Sequence, residues 1–196
     1  MPYITPSIED ISKNKHSSTE VGYDRTRTYI KIDEISKERF SFVLAMPGMG
    51  KSRLLKQIVK QSSEIFQGSL YIEAKYLNGK DYEKAINKIL ARPPGDLLSE
   101  QELVAKKNSF FEKPFELKKD SAFLVCLDAL DEVGFDNIGH HAEQLDELRY
   151  NYPKAHIIVS CRDYIHKRIQ DRFSDIPVKL FQLNPFNRFS AEEFLR

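Results

Sequence analysis

Residues 45–53 read AMPGMGKSR and follow an apolar run. They fit the phosphate-loop template G-x-x-x-x-G-K-[ST] at every position but the first, where Ala45 replaces glycine. Phosphate needs several converging N–H donors with no side chain in the way, and Gly48 and Gly50 allow that approach and a positive φ. A helix starting near Lys51 aims its free N–H groups and its positive end at the same anion. Lys51 is placed to reach the β- and γ-phosphates, and the Ser52 hydroxyl to hold Mg²⁺. The Ala45 methyl is a mild obstacle, because the donors come mainly from residues 48–52. The nucleotide-binding set is Pro47, Gly48, Met49, Gly50, Lys51, Ser52 and Arg53. A plain strand–turn–helix with glycines serving the turn is the competing reading. The apolar strand before the loop and the amphipathic helix after it weigh against that.

Two further groups could complete such a site. In FLVCLDALDEVG, residues 123–134, five apolar residues lead directly to Asp128. A carboxylate at the carboxyl end of a buried strand sits at the crevice where open α/β sheets bind ligands. The expected metal set is therefore Ser52 and Asp128. Asp131 and Glu132 follow, and one of them could orient or deprotonate an attacking water. The bland alternative is a strand ending in a solvated acidic turn. In the third group, residues 157–162, an apolar run ends in Ser160, Cys161 and Arg162. A guanidinium there could contact a γ-phosphate, against the alternative of an ordinary surface arginine.

These residues need a scaffold that brings them to one place. Five short runs rich in β-branched or aromatic residues read as strands: Phe42–Ala45, Leu70–Glu73, Phe123–Leu127, His156–Ser160 and Lys179–Leu183. Between most of them lie helical patterns, at Ser52–Ser62, Tyr82–Leu90, His141–Tyr150 and Tyr164–Phe173. Near-continuous apolar strands alternating with amphipathic helices predict a parallel sheet covered on both faces. Residues 1–40 are polar and without sustained period; they are expected to form a lead-in that packs on a core at 41–196, with a short helix in KIDEISKERF. A helix around Ser99–Asn108 is expected in the charged connection to the third strand. The last residues, NRFSAEEFLR, start a helix that Ser190 can cap, with Glu193 three residues on. The pattern stops in mid-helix, as at a boundary before further domains.

Composition restricts the partners. Thirty basic and twenty-nine acidic side chains give a net charge of +1, and hence no field to steer the whole surface onto nucleic acid or membrane. The short basic clusters in KERF, at Lys106–Lys107 and at Lys118–Lys119 read as solvated faces, so nucleic acid is an unfavoured partner and a membrane is none. Cys126 and Cys161 read as small buried groups of a reduced compartment, with neither a disulfide nor a catalytic thiol inferred. His140 and His141 lack Cys or His partners at ligand spacing and are not expected to bind metal. No apolar stretch approaches a membrane helix, and the N-terminus resembles no signal, so a cytoplasmic location is the default.

The motifs together resemble the NACHT family of signal-transduction (STAND) P-loop ATPases. MPGMGKS fits its phosphate loop, LDALDEV its acidic motif with Ala129 where the family usually has glycine, and VSCRD its sensor strand. The resemblance implies a three-layer α/β/α P-loop NTPase core with a five-stranded parallel sheet in the order 5-1-4-3-2. It implies ATP/ADP and Mg²⁺ as cofactors, and carries to Arg162 the role of nucleotide sensor beside Asp131 and Glu132. Leu183, Pro185 and Phe186 match a structural exit motif, and Tyr3 and Pro6 are weak candidates for base contacts. Family members continue into helical and winged-helix domains and self-associate as full-length proteins. The implied function is an ATP-binding, slowly hydrolysing switch in signalling or antiviral, innate-immunity-like defence. Alternatives are a DNA-dependent AAA-type ATPase, a non-hydrolysing nucleotide-dependent scaffold and, less favoured, a phosphotransferase, for which Arg92 and Arg168 could be recruited.

Overall fold

The computed structural model describes residues 8–12, 31–62, 64–90, 105, 107–110 and 116–184. The expectations for Tyr3, Pro6, Arg92, Pro185, Phe186, Ser190 and Glu193, and for most of the helix around Ser99–Asn108, lie outside them. Six strands are present: β1 (Ile8–Asp10), β2 (Phe40–Leu44), β3 (Gly68–Glu73), β4 (Phe123–Asp128), β5 (His156–Cys161) and β6 (Lys179–Leu183). The described helices are α1 (Ile32–Lys37), α2 (Lys51–Gln61), α3 (Tyr82–Leu90), α4 (Phe135–Asn151) and α5 (Asp163–Ile169). Short 3₁₀ turns follow β3, β4 and α5 at Ala74–Leu77, Leu130–Glu132 and Gln170–Phe173.

The expected five-stranded, all-parallel sheet in the order 5-1-4-3-2 is corrected. The sheet has six strands in the order β1-β6-β2-β5-β4-β3 and is mixed. β1 runs antiparallel to β6, with Ile8 opposite Leu183 and Asp10 opposite Phe181, whereas β6–β2, β2–β5, β5–β4 and β4–β3 are parallel. The added strand is only three residues long, IED, too short to show a period of two inside the polar lead-in. It forms because Ile8 buries completely and because the open edge of β6 offers unpaired backbone groups.

Strand alternation sorts the core into two layers. Phe123, Val125 and Leu127 of β4 join Phe42, Leu44, Ile72, Ile157 and Val159 on one face, under α3, α4 and α5. Leu124 and Cys126 join Val43, Tyr71, Ile158 and Phe181 on the other, under α1 and α2. Burial on both faces explains why these strands read as continuous apolar runs. α2 turns Leu54, Leu55, Ile58 and Val59 inward and leaves Arg53, Lys56 and Lys60 exposed. Each buried aliphatic contributes about 2 kcal/mol of transfer free energy, which fixes the roll of the helix and hence the direction of its N-terminus.

Candidate functional site

β2, β4 and β5 are adjacent and parallel, so their carboxyl ends share one edge of the sheet. The segments that follow them carry Lys51, Asp128 with Asp131, and Arg162. This edge is where ligands bind in open α/β sheets.

After β2, Gly48 and Gly50 take φ of 77° and 86°, and Gly50 is the residue on which α2 begins. A Cβ at either glycine would meet no atom within 4 Å. The requirement for glycine is therefore the left-handed backbone and the clear approach it leaves, not a neighbour in the way. Ala45 is buried with Val43 and Leu54, and its N–H bonds the Cys161 carbonyl at 3.3 Å. Its own carbonyl accepts from Lys51 Nζ at 3.3 Å. The residue that departs from the template thus belongs to the core and holds the lysine by its backbone.

The acids divide into two separate groups. Asp128 is fully buried and lies on the α2 face of the sheet, two residues beyond Cys126. Tyr71 and Ser160 occupy the same face of the two flanking strands. Tyr71 Oη donates to Asp128 Oδ2 at 2.6 Å, and Ser160 Oγ donates to Oδ1. Ser160 Oγ also accepts from the Ala129 N–H at 2.9 Å. Burial first, and then the neighbouring Asp128 carboxylate, push the Tyr71 hydroxyl well above the usual tyrosine range, while Ser52 beside it works in the opposite sense. Tyr71 therefore stays protonated and donates. Neither Tyr71 nor Ser160 stands out as functional in the sequence. A hydroxyl on the same strand face as Asp128 is the only signal, and it needs the strand order to be read.

The chain leaves Asp128 through Ala129, a non-glycine residue at φ 58°, ψ 48°. This left-handed step costs about 1–2 kcal/mol and turns the next acid back toward the loop. Asp131, with its side chain only 2% exposed, meets both cations. Lys51 Nζ lies 3.9 Å from Oδ1, and Arg162 Nε lies 2.8 Å from Oδ2. Both contacts are electrostatic, because neither Asp131 Oδ1 nor Arg162 Nε has a hydrogen-bonding partner. Lys51 is 11% exposed and Arg162 42%, so the arginine approaches from the solvent side. Glu132 is exposed, and the cation that senses it is Lys75, which pairs with Glu73 at 2.7 Å.

Lys51, Asp131 and Arg162 are thus brought together, Asp128 sits with Tyr71, Ser160 and Ser52, and Glu132 stands outside both groups. Pro47, Met49 and Arg53 lie in or beside the loop, and Met49 is packed partly buried against the core layer under α2. Among the described residues no cluster of three or more His, Cys, Asp or Glu could hold a metal alone. Asp128 and Ser52 nevertheless fit Mg²⁺ chemically. The carboxylate uses two of about four acceptor directions, and Mg²⁺ takes one or two hard protein oxygens with phosphate and water completing its shell. Cys161, next to Arg162, has its thiol pushed up by burial and by Asp131, which excludes a reactive thiolate there.

No known family's sequence profile matches the chain, and no curated protein matches it significantly. Similar solved structures exist. The cytoplasmic domain of the Thermomonospora curvata Type VII secretion ATPase EccC matches at 15% identity and TM-score 0.41, over 85% of this chain and 21% of that one. C. elegans PCH-2 matches at 13% and 0.47, over 80% and 38%. A structure described as an ATPase matches at 11% and 0.43, over 83% and 71%. The chain thus spans well under two thirds of the first two. All three scores fall below 0.5, so these likenesses do not carry the assignment of the site, and none places the chain in the NACHT family. Among the described residues no helix is long and apolar enough to cross a membrane.

Proposed function

We propose that the chain is a nucleotide-binding, slowly hydrolysing ATPase core, and that its finer role is that of a STAND-type switch. The observation that carries the reading is the convergence of Lys51 and Arg162 on Asp131 at the mouth of the glycine loop. Two cations held by one buried carboxylate form a pocket of net positive charge, beside free helix N–H groups, where an anion of several charges fits. Bound triphosphate would compete with Asp131 for both cations. Diphosphate, lacking the γ-phosphoryl group, would leave Arg162 on Asp131. That difference in contacts is what a two-state switch requires.

In this reading Lys51 and the N–H groups from Gly48 to Ser52 bind phosphate, and Pro47, Met49 and Arg53 shape the loop. Ser52 and Asp128 hold Mg²⁺, which would supply charge neutralisation between the phosphates. Tyr71 and Ser160 orient Asp128 by donating to it. Arg162 reads the terminal phosphoryl group. Glu132, exposed on the turn after Asp131, is the acid able to face an attacking water, while Asp131 is committed to the two cations. Domain boundaries at 1–40 and 41–196 and self-association of a longer protein belong to the same proposal.

Isothermal calorimetry with Mg·ATP and with ADP tests it. Lys51→Ala abolishes binding of both. Glu132→Gln retains binding and slows turnover by about 10²-fold or more, the usual scale for a positioned general base. Equal ATP affinity in the Lys51 variant would overturn the loop assignment. A DNA-stimulated ATPase is the second reading, favoured by a basic cleft that opens beside Ser52. Turnover measured with and without DNA separates the two.

A further inference from the structure

Along the exposed side of α2, starting at Ser52, lies a cleft of about 830 Å³. Arg53, Lys56 and Lys60 line one wall, at the spacing of a single helix face. Lys107, Asn108 and Phe110 line the other. These walls are about fifty residues apart in sequence, so the basic pair at Lys106–Lys107 reads there as a solvated face and only the fold sets Lys107 opposite Lys56 and Lys60. Among the described residues that line the cleft, none is acidic.

Phe110 gives the cleft a second property. Its ring is 38% exposed, yet its backbone is clamped to the outer edge of β3. Ser69 N–H donates to the Phe110 carbonyl at 2.8 Å, and Phe110 N–H donates to the Ser69 carbonyl at 2.7 Å. An apolar ring held at the surface by two backbone hydrogen bonds is a fixed platform, not a side chain left over from the core. Lys56 is ordered too, with its ammonium 4.7 Å from the centre of the Tyr71 ring.

From these features we infer that the cleft binds single-stranded nucleic acid. A row of cations tracks a phosphate backbone, and an aromatic face stacks an unpaired base without regard to sequence. A duplex presents no free base face to Phe110, and a plain polyphosphate has no base at all. The inference deepens the second reading above by naming its ligand, but the binding itself does not depend on hydrolysis. Ser52 belongs both to the cleft and to the phosphate loop. A strand lying along α2 would therefore end beside the expected Mg²⁺ position.

The test is fluorescence anisotropy of a labelled oligothymidine of about a dozen nucleotides, titrated with the protein from about 50 to 200 mM salt. ATP binding is measured in parallel by calorimetry on the same preparations. The parent binds the oligothymidine, with affinity falling as salt rises. The double variant Lys60→Glu/Lys107→Glu binds at least tenfold more weakly and loses about 1.4 from the log–log salt slope, on the order of 0.7 for each phosphate contact removed. Phe110→Ala weakens binding about fivefold or more at unchanged salt slope. Phe110→Tyr, which keeps a stacking face, restores it and guards against a merely structural effect. Both surface variants keep the parent's ATP affinity, so loss of oligonucleotide binding is distinct from failure of the nucleotide site. The inference is overturned if the oligothymidine does not bind at the lowest salt, if the variants bind it as the parent does, or if a duplex or inorganic polyphosphate competes as well as the single strand.

Discussion

Asp131 is the residue on which the site turns. It is buried between Lys51 and Arg162, and removing one member of such a group leaves the others uncompensated. Asp131→Asn keeps the shape and removes the charge, so two cations are left facing each other with no counter-ion. The nucleotide-free protein should lose about 1–3 kcal/mol, discounted from the full buried-pair penalty because Arg162 is substantially exposed. Saturating Mg·ATP should return most of it, because phosphate supplies the missing negative charge. Thermal unfolding with and without nucleotide checks this, and a variant as stable as the parent in both conditions would show that Asp131 holds neither cation. The strand ends that carry these residues were legible beforehand. The glycine–lysine–serine spacing, the acid ending an apolar run and the arginine ending another each announce a strand end. The division of labour was not legible. Sequence gives Asp131 and Glu132 equal claims as water-activating acids. Only the left-handed step at Ala129 and the burial that follows assign the first to the cations and leave the second in solvent.

At the scale of elements, α3 and α4 are joined through a buried histidine. His141 of α4 is fully buried. The Tyr82 hydroxyl is bonded to its Nδ1, and its Nε2 lies 2.7 Å from Asn78 Oδ1. The Asn78 oxygen can only accept, so Nε2 carries the proton, Nδ1 accepts from Tyr82, and the ring is neutral. Burial, with a smaller contribution from His140, pushes its pKa down to about 4. In the unfolded chain it would titrate at about 6.5. Between these values the unfolded state binds the extra proton, so stability is full above pH 6.5 and is lost as pH falls toward 4. His156, whose Nδ1 reaches the Ser36 and Glu38 carbonyls at 2.9 and 3.1 Å, is also lowered by burial and adds in the same direction. Urea unfolding from pH 7.5 to 4.5 should show the loss, and His141→Gln should flatten much of it. A parent curve with no slope there would contradict the buried neutral ring. The role of His141 as a tie between helices could not be read from the sequence, because it requires knowing that α3 and α4 pack together. Helix ends were read less well for a related reason. α4 begins at Phe135, well before the expected His141, because residues 135–140 hold only Phe135 and Ile138 as apolar side chains, too few to show a helical period.

For the whole molecule, the element missed was the smallest. β1 is three residues, yet Ile8 is completely buried in the layer formed with α1 and α2. Ile8→Ala should cost about 2–5 kcal/mol, as for other fully buried aliphatics, measured by chemical denaturation. A loss under about 0.5 kcal/mol would mean that the strand is not part of the fold. Asp10 is fixed by the Ser12 N–H at 2.9 Å and by Lys179 at 3.1 Å, so the attachment is polar at one end and apolar at the other. Parallel strands covered on both faces were readable from their apolar runs, but a short antiparallel addition carries no such signature. The opposite margin of the sheet is treated similarly. On β3 the Ser69 amide is taken by Phe110 and the Tyr71 amide by Ser109 Oγ at 3.2 Å. Among the described residues, one margin of the sheet is a strand only three residues long and the other is partly taken by a loop, so little unpaired ribbon is left to lend a neighbour. These described margins favour contacts between copies through side chains, which a ligand can reverse, over the strand-to-strand zippering that leads to irreversible aggregates.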